Sequence, residues 1–235
     1  MKKLFYITYS HLLVFFRNKT ALFFFCIFPI ILFSIFGSLW GFNSGYIFFL
    51  LSGVIGMNIL SDGLSSVGPI VKDSHESGLI RYLKKQSFNP ILYFVGFIIC
   101  RIIILLFVMS LLCLTAFLLF SYEVSKVNIL FFICGIFVGM FIFSFIGLVI
   151  TYSGVKRGSN SSIINIISYI ILFSSNVFYE SKHFNKTIGI IGDSLPLNPI
   201  LEILRKGYFD PILSVWIIVP AFVFLLMLNK IKLSR

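Results

Sequence analysis

The chain has 235 residues, 59% of them hydrophobic and only 11% charged, with thirty phenylalanines. A soluble domain holds about 45–50% apolar and about 25% charged residues, so the composition excludes an ordinary water-soluble globule. The net charge of +11 does not make the chain a nucleic-acid binder, because its basic residues collect between long apolar runs, as membrane topology requires.

The opening stretch MKKLFYITYSHLLVFFRNK, residues 1–19, imitates a signal peptide through Lys2 and Lys3. Thr8, Ser10 and His11 interrupt its apolar run and no small-residue cleavage site follows, so it is expected to be retained. Phe5, Tyr9, Leu12, Leu13 and Phe16 share one face at helical spacing, with Lys3, Ser10 and Arg17 to one side. That pattern predicts an interfacial helix over 1–19. Ile7 and Val14 fall among its polar positions, and a plain extension of the first span is the alternative.

Six transmembrane helices are predicted next, at 20–42, 46–71, 91–120, 127–151, 161–178 and 211–228, making the chain an all-α polytopic membrane protein. Pro29 in the first span is tolerable because neighbouring groups in a membrane bundle satisfy the freed backbone. With a cytoplasmic N-terminus, thirteen Lys and Arg fall inside and five outside, with Arg101 within a span. Both termini are therefore expected on the cytoplasmic side. Residues 1–235 read as a single transmembrane domain. The cysteines Cys26, Cys100, Cys113 and Cys134 lie within spans at no metal-like spacing, and no metal ligands are assigned.

Two opposite charges sit inside spans. Asp62 lies ten residues before Lys72 and Arg101 eleven after Pro90, so each is ~15 Å from the cytoplasmic end at ~1.5 Å per residue. An unpaired charge at mid-helix costs about 2.5–3.5 kcal/mol on insertion scales. Two readings follow: an Asp62–Arg101 pair, or Arg101 snorkelling outward with Asp62 in a hydrated Ser-Asp-Gly break. The pairs Gly37/Gly41 and Gly135/Gly139 permit close helix approach, within the chain or between two copies.

Residues 72–90, KDSHESGLIRYLKKQSFNP, form the first long polar interruption and fall on the cytoplasmic side. Asp73 and Glu76 have capping-box spacing, Lys84 and Lys85 suit a last helical turn, and Asn89-Pro90 forbids continuation. Leu79, Ile80 and Leu83 make an apolar stripe, so a short amphipathic helix over 73–86 is predicted, seated in a partner's groove or on lipid headgroups. The outside segment 179–210 carries a second one. There Asn198 and Pro199 have N-cap and first-position character, Gly207 suits the end, and the helix runs over 200–206.

ESGLIRYLKKQSFNP (76–90) resembles the cytoplasmic loop of ATP-binding-cassette exporter permeases of the second type. Those permeases carry an acidic-x-Gly pattern, a basic, Leu-rich helix and a Pro opening the third span. The likeness falls on Glu76, Gly78, Arg81, Leu83 and Pro90. SLPLNPILEILRKGYF (194–209) is similar to the family's Leu-Pro and Arg element, on Leu195, Pro196 and Arg205. FFRNKTALFFFCIFPIILFSIFG (15–37) resembles its first span, on Arg17, Lys19 and Pro29. In the family a basic residue often occupies the position Arg101 matches, near the interface.

The resemblance implies a six-helix permease half that dimerises with an identical or homologous chain and sits on two ATPase subunits. It implies a coupling helix at 73–86, with Asp73, Glu76, Gly78, Leu79, Ile80, Arg81, Leu83 and Lys84 as contact residues. It also implies a re-entrant element capping the outer exit, with Pro196, Pro199, Glu202 and Arg205 as gate residues, where the pattern alone equally allows a helix resting on the interface. No G-x-x-x-x-G-K-[ST] occurs, and SGVKRGSN (153–160) lacks the Lys-Ser/Thr pair. ATP and magnesium are therefore expected on the separate ATPase. YSGVKRGSN (152–160) is a second cytoplasmic contact or only a basic anchor.

These readings make the chain the permease subunit of an ATP-driven exporter in a bacterial plasma membrane. Phe-, Ile- and Leu-rich walls suit a hydrophobic or amphipathic solute, such as a drug-like natural product or membrane-active peptide. Export of a lipid-linked polymer and a stand-alone immunity or sensor role are the alternatives. An intramembrane enzyme is disfavoured: only His11, His75 and His183 exist, there is no H-E-x-x-H, and Ser153-Gly154 has no partner base. No catalytic residue is assigned.

Overall fold

The computed structural model describes residues 2–40, 44–85, 90–153, 157–179 and 186–233. Regular structure among the described residues is entirely helical. In chain order the helices are α1 (Lys2–Arg17), α2 (Lys19–Trp40), α3 (Ser44–Glu76), α4 (Leu79–Lys85), α5 (Pro90–Phe120), α6 (Lys126–Tyr152), α7 (Arg157–Ser174), α8 (Lys186–Ser194), α9 (Leu197–Lys206) and α10 (Ile212–Leu233). Four of them, α2, α3, α5 and α6, are long and apolar enough to cross ~30 Å of hydrocarbon. The fifth and sixth predicted spans contain shorter apolar helices, Ser161–Ser174 and Ile212–Leu226. The chain is a multi-pass membrane protein.

Local chemistry sets the helix ends. Asn18 caps α2, its side chain accepting from the Ala21 amide at 3.2 Å, and Ser125 caps α6 by accepting from Asn128 at 3.2 Å. Within α2 the ladder widens over Phe23–Ile27, where the Phe28 amide reaches back to the Phe23 carbonyl. Pro29 follows directly. Its ring displaces the carbonyl four residues back, and one wide turn absorbs the mismatch.

The core is built around α3. Phe33, Leu50, Leu51, Val54, Ile59 and Leu64 are fully buried, and α3 is far more enclosed than the other three long helices. It runs parallel to α6, with Gly63 against Phe143, Gly68 against the Gly147 carbonyl, and Gly147 against the Leu64 carbonyl. These glycines bring backbone to backbone, where any side chain would separate the helices. Lys72 Nζ donates to the Thr151 carbonyl at 3.2 Å, fastening the same ends of both helices.

Helix α9 lies antiparallel to α6, Leu204 against Gly135 and Ile200 against Gly139. The Gly135/Gly139 stripe is therefore filled within the chain, the first of the two readings its spacing allows. Gly37 packs on Phe120, while Gly41 lies outside the described residues.

Helix α1 lies along α5. Thr8 Oγ1 donates to the Gly96 carbonyl at 3.3 Å, and Ile7 also touches Gly96. His11 meets Tyr93 and Phe97 edge-on, with ring centroids 4.9 and 5.3 Å away. Of the predicted stripe, Phe5, Tyr9 and Leu13 point away from the bundle, Phe16 is exposed but meets Phe107 of α5 edge-on, and Leu12 is partly buried against the core.

Burial pushes the His11 imidazole below its ordinary value of 6.5, because docking α1 favours the uncharged ring. The neutral ring's contribution is complete above pH ~6.5 and fades as pH falls through the lowered folded value. Amide exchange over residues 4–16 is therefore expected to accelerate below about pH 6.5 relative to α6, beyond the intrinsic pH effect on exchange, and His11→Phe is expected to abolish that excess.

Candidate coupling and gating sites

The segment that first interrupts the apolar chain is organised differently from the predicted capped helix. α3 continues through Asp73 to Glu76, and the helix then breaks at Ser77 and Gly78. Gly78 has φ +77°, a left-handed conformation open to glycine without strain, which ends α3. The Ser77 amide still reaches the Asp73 carbonyl at 2.8 Å. Asp73 and Glu76 thus sit in the last turn of α3 and form no capping box, because the long helix propagates further than its polar residues suggest.

The separate helix is the seven-residue α4. Its stripe of Leu79, Ile80 and Leu83 is half-buried, and α4 rests against α3 and α5. Arg81, Tyr82 and Lys85 are exposed, as are Asp73 and Glu76 beside them. The exposed face is therefore charged and aromatic rather than greasy. The Lys84 side chain and residues 86–89, including Asn89, lie outside the described residues. So do 154–156 in the second loop, and Pro90 is the first residue of α5.

Arg101 on α5 gathers four helices. Its Nη2 donates to Asp62 Oδ1 on α3. Its guanidinium also faces three rings: Phe15 of α1 at 5.7 Å, Phe25 of α2 at 4.7 Å and Phe97 of α5 at 5.9 Å. The side chain turns inward rather than out along the helix. Asp62 is wholly buried, and α3 passes through Ser61-Asp62-Gly63 without the break considered above. Rings and carboxylate together replace part of the water that a buried guanidinium loses, while Arg101 Nε and Asp62 Oδ2 stay buried without a hydrogen-bond partner.

At the opposite end of α3, Arg205 of α9 is held more completely. Nε donates to Ser52 Oγ at 2.9 Å, and Nη2 donates to the Phe49 carbonyl at 3.2 Å and the Asn176 carbonyl at 2.7 Å. The guanidinium lies 3.7 Å from the centroid of the Phe49 ring. Glu202 and Lys206 pair one turn apart at 3.5 Å. Between them and Asp193 and Asp210 lies a polar cavity of about 410 Å³.

Asn198 and Pro199 do not cap α9. The helix starts at Leu197 behind Pro196, and Asn198 is buried in its first turn. There its Oδ1 accepts from the Asn176 amide at 2.7 Å and its Nδ2 donates to Asp193 at 3.2 Å. Gly207 ends α9 as expected, at φ +65° with its amide on the Ile203 carbonyl at 2.9 Å. Leu197 and Leu201 both reach Gly56, twelve residues into α3, so the α9 N-terminus lies ~18 Å inside the bundle from that end. Pro196, Pro199, Glu202 and Arg205 are brought together on this one element. Tyr122, in the connection between α5 and α6, has its phenol pushed above its ordinary 10 by burial.

A third feature was not legible as a site. α2, α3 and α7 enclose a cleft of about 430 Å³ walled by Phe24, Phe28, Phe36, Leu172, Phe173 and Phe178. Asn58 lines it, and its Nδ2 is buried with no hydrogen-bond partner. Only the single Asn in an otherwise small and apolar run hinted at this position in the sequence.

A family model described as ABC-2 type transporter matches residues 2–209. No curated protein matches the chain.

Proposed function

The chain belongs to the ABC-2 type transporter family, and from that premise we propose that it is the membrane subunit of an ATP-driven exporter of a hydrophobic or amphipathic solute. The ATPase is a separate chain, a second permease chain completes the pathway, and both termini and α4 face the cytoplasm. In this reading 20–42, 46–71, 91–120, 127–151, 161–178 and 211–228 are the six crossings, α1 is interfacial and α9 is re-entrant from outside.

The observation that carries the reading is α3 itself. It is one helix of 33 residues, ~50 Å long, with α4 at one end and the Phe49–Ser52 turn that holds Arg205 at the other. The backbone contacts of Gly68 and Gly147 and the Lys72–Thr151 bond join α6 to it. A push on α4 when the ATPase closes is then delivered to α9 through two helices that cannot slide independently. The Phe-walled cleft supports an apolar cargo of drug-like size, with the Asn58 amide available to one acceptor atom.

Affinity purification of the tagged chain in mild detergent tests this. A soluble ATPase is expected to co-purify, and Glu76→Arg with Arg81→Glu is expected to release it, because both exposed charges are reversed while α4 keeps its buried side. A chain that purifies alone, or only with itself, sinks the exporter reading in favour of a stand-alone immunity or sensor role.

A further inference from the structure

We propose that Phe25 is a positioning residue, one that couples occupancy of the Phe-walled cleft to the buried Asp62–Arg101 pair. Its half-buried ring is one wall of the cleft between α2, α3 and α7. The same ring stands 4.7 Å from the Arg101 guanidinium. It also meets Phe15 of α1 edge-on, with centroids 5.9 Å apart at 79°. Of the carboxylate and three rings around that guanidinium, Phe25 alone also walls the cleft among the described residues. A molecule in the cleft and the cation behind it therefore share one side chain.

Two features make that sharing consequential. The Arg101 site is incompletely satisfied, since Arg101 Nε and Asp62 Oδ2 are buried without hydrogen-bond partners. In so dry a place the ring faces supply part of what solvates the guanidinium, and moving one of them costs more than it would in water. The second feature is the backbone beneath the ring. Phe25 is the middle residue of the wide turn Phe23–Ile27. A helix with one wide turn can shift by one residue there, and each residue carries ~100° of rotation. The direction of the Phe25 ring is thus adjustable where a regular α-helix would fix it. Attraction to the guanidinium holds the ring back from the cleft. A cargo pressing on it drives it toward Arg101 and Phe15, so α5, α1 and, through Asp62, α3 all register that the cleft is filled.

The inference rests on the proposed reading of the cleft as the cargo site, but not on the ATPase. The test uses the purified full chain and benzophenone, a neutral aromatic ketone that bonds covalently to neighbouring side chains when illuminated. Its half-saturating concentration is read by mass spectrometry from labelling at Met57, which lines the cleft. Arg101→Lys is expected to raise that concentration about fivefold, because the weaker partner lets the ring relax into the cleft. Phe25→Leu is expected to shift the affinity by itself and to abolish the further effect of Arg101→Lys, since no ring is left to hold. A reciprocal measurement needs no substitution: benzophenone in the dark is expected to slow amide exchange over residues 12–17 more than over α6. A fivefold effect that survives in Phe25→Leu overturns the proposal, because Arg101 then reaches the cleft by another route. An Arg101→Lys chain that binds as wild type overturns it too, as does equal slowing of α1 and α6. Labelling at Met57 that does not saturate overturns both this coupling and the cargo reading of the cleft, while leaving ATPase association to the co-purification experiment.

Discussion

Arg101→Leu alone is expected to lower stability by about 3–5 kcal/mol, because it strands the Asp62 carboxylate in a dry bundle. Asp62→Leu is expected to do the same from the other side. The double change Asp62→Leu/Arg101→Leu is expected to recover most of the loss, since replacing a buried pair with apolar side chains is often neutral or better. Denaturant or thermal unfolding of the purified chain in one detergent, read as a double-mutant cycle, measures the coupling directly. A double variant no more stable than the worse single one rules out the pair as the main partner of either charge. The aromatic enclosure adds a second expectation. Arg101→Lys keeps the charge but loses the planar face presented to Phe15 and Phe25, so it is expected to fall between wild type and Arg101→Leu.

Arg205→Met is expected to cost about 2–4 kcal/mol, given three hydrogen bonds to a charged group and the carbonyls left unsatisfied by its removal. Phe49, Ser52 and Asn176 all lose a donor. Arg205→Lys is expected to restore less than half, because one ammonium cannot serve acceptors on two sides while stacking on Phe49. Limited proteolysis between residues 186 and 210 reads the local effect, and loss there should exceed loss within α6. Unchanged cleavage in Arg205→Met would mean that the packing of Ile200, Leu201 and Leu204 alone seats α9.

These two arginines occupy corresponding places. One ties α5 and α1 to the middle of α3, and the other ties α9 to its far end. Both act on the helix that the proposed function makes the transmitting element, so their variants are informative about transport as well as stability.

Much of the architecture could be read along the chain because apolar run length and basic clustering are local quantities. The runs at 46–71, 91–120 and 127–151 became α3, α5 and α6 with modest shifts at their ends, and Gly207 stopped α9 as its freedom at positive φ suggests. The helix that ends at Glu76 was missed by one element. Asp73 and Glu76 resemble the start of a helix when only neighbours three residues away are considered. Propagation of the preceding helix, at one hydrogen bond per added residue, carried α3 past them until Gly78. Asn198 misled in a similar way. Its side chain prefers a helix start, but two partners on other segments, Asn176 and Asp193, engaged it inside the first turn.

What the sequence determined by itself is that this chain is helical, lies in a membrane, and breaks its apolar runs where cations gather; each follows from counting residues over a window. Only the tertiary structure decided that Arg101 turns to Asp62, that Gly135 and Gly139 receive α9, and that Phe5 and Tyr9 face outward while His11 is covered. In a bundle where almost every side chain is apolar, hydrophobicity does not distinguish a lipid-facing position from a core one. That choice falls to shape and to the few polar groups, since small residues allow backbones to meet and a buried charge must find its partner on another helix.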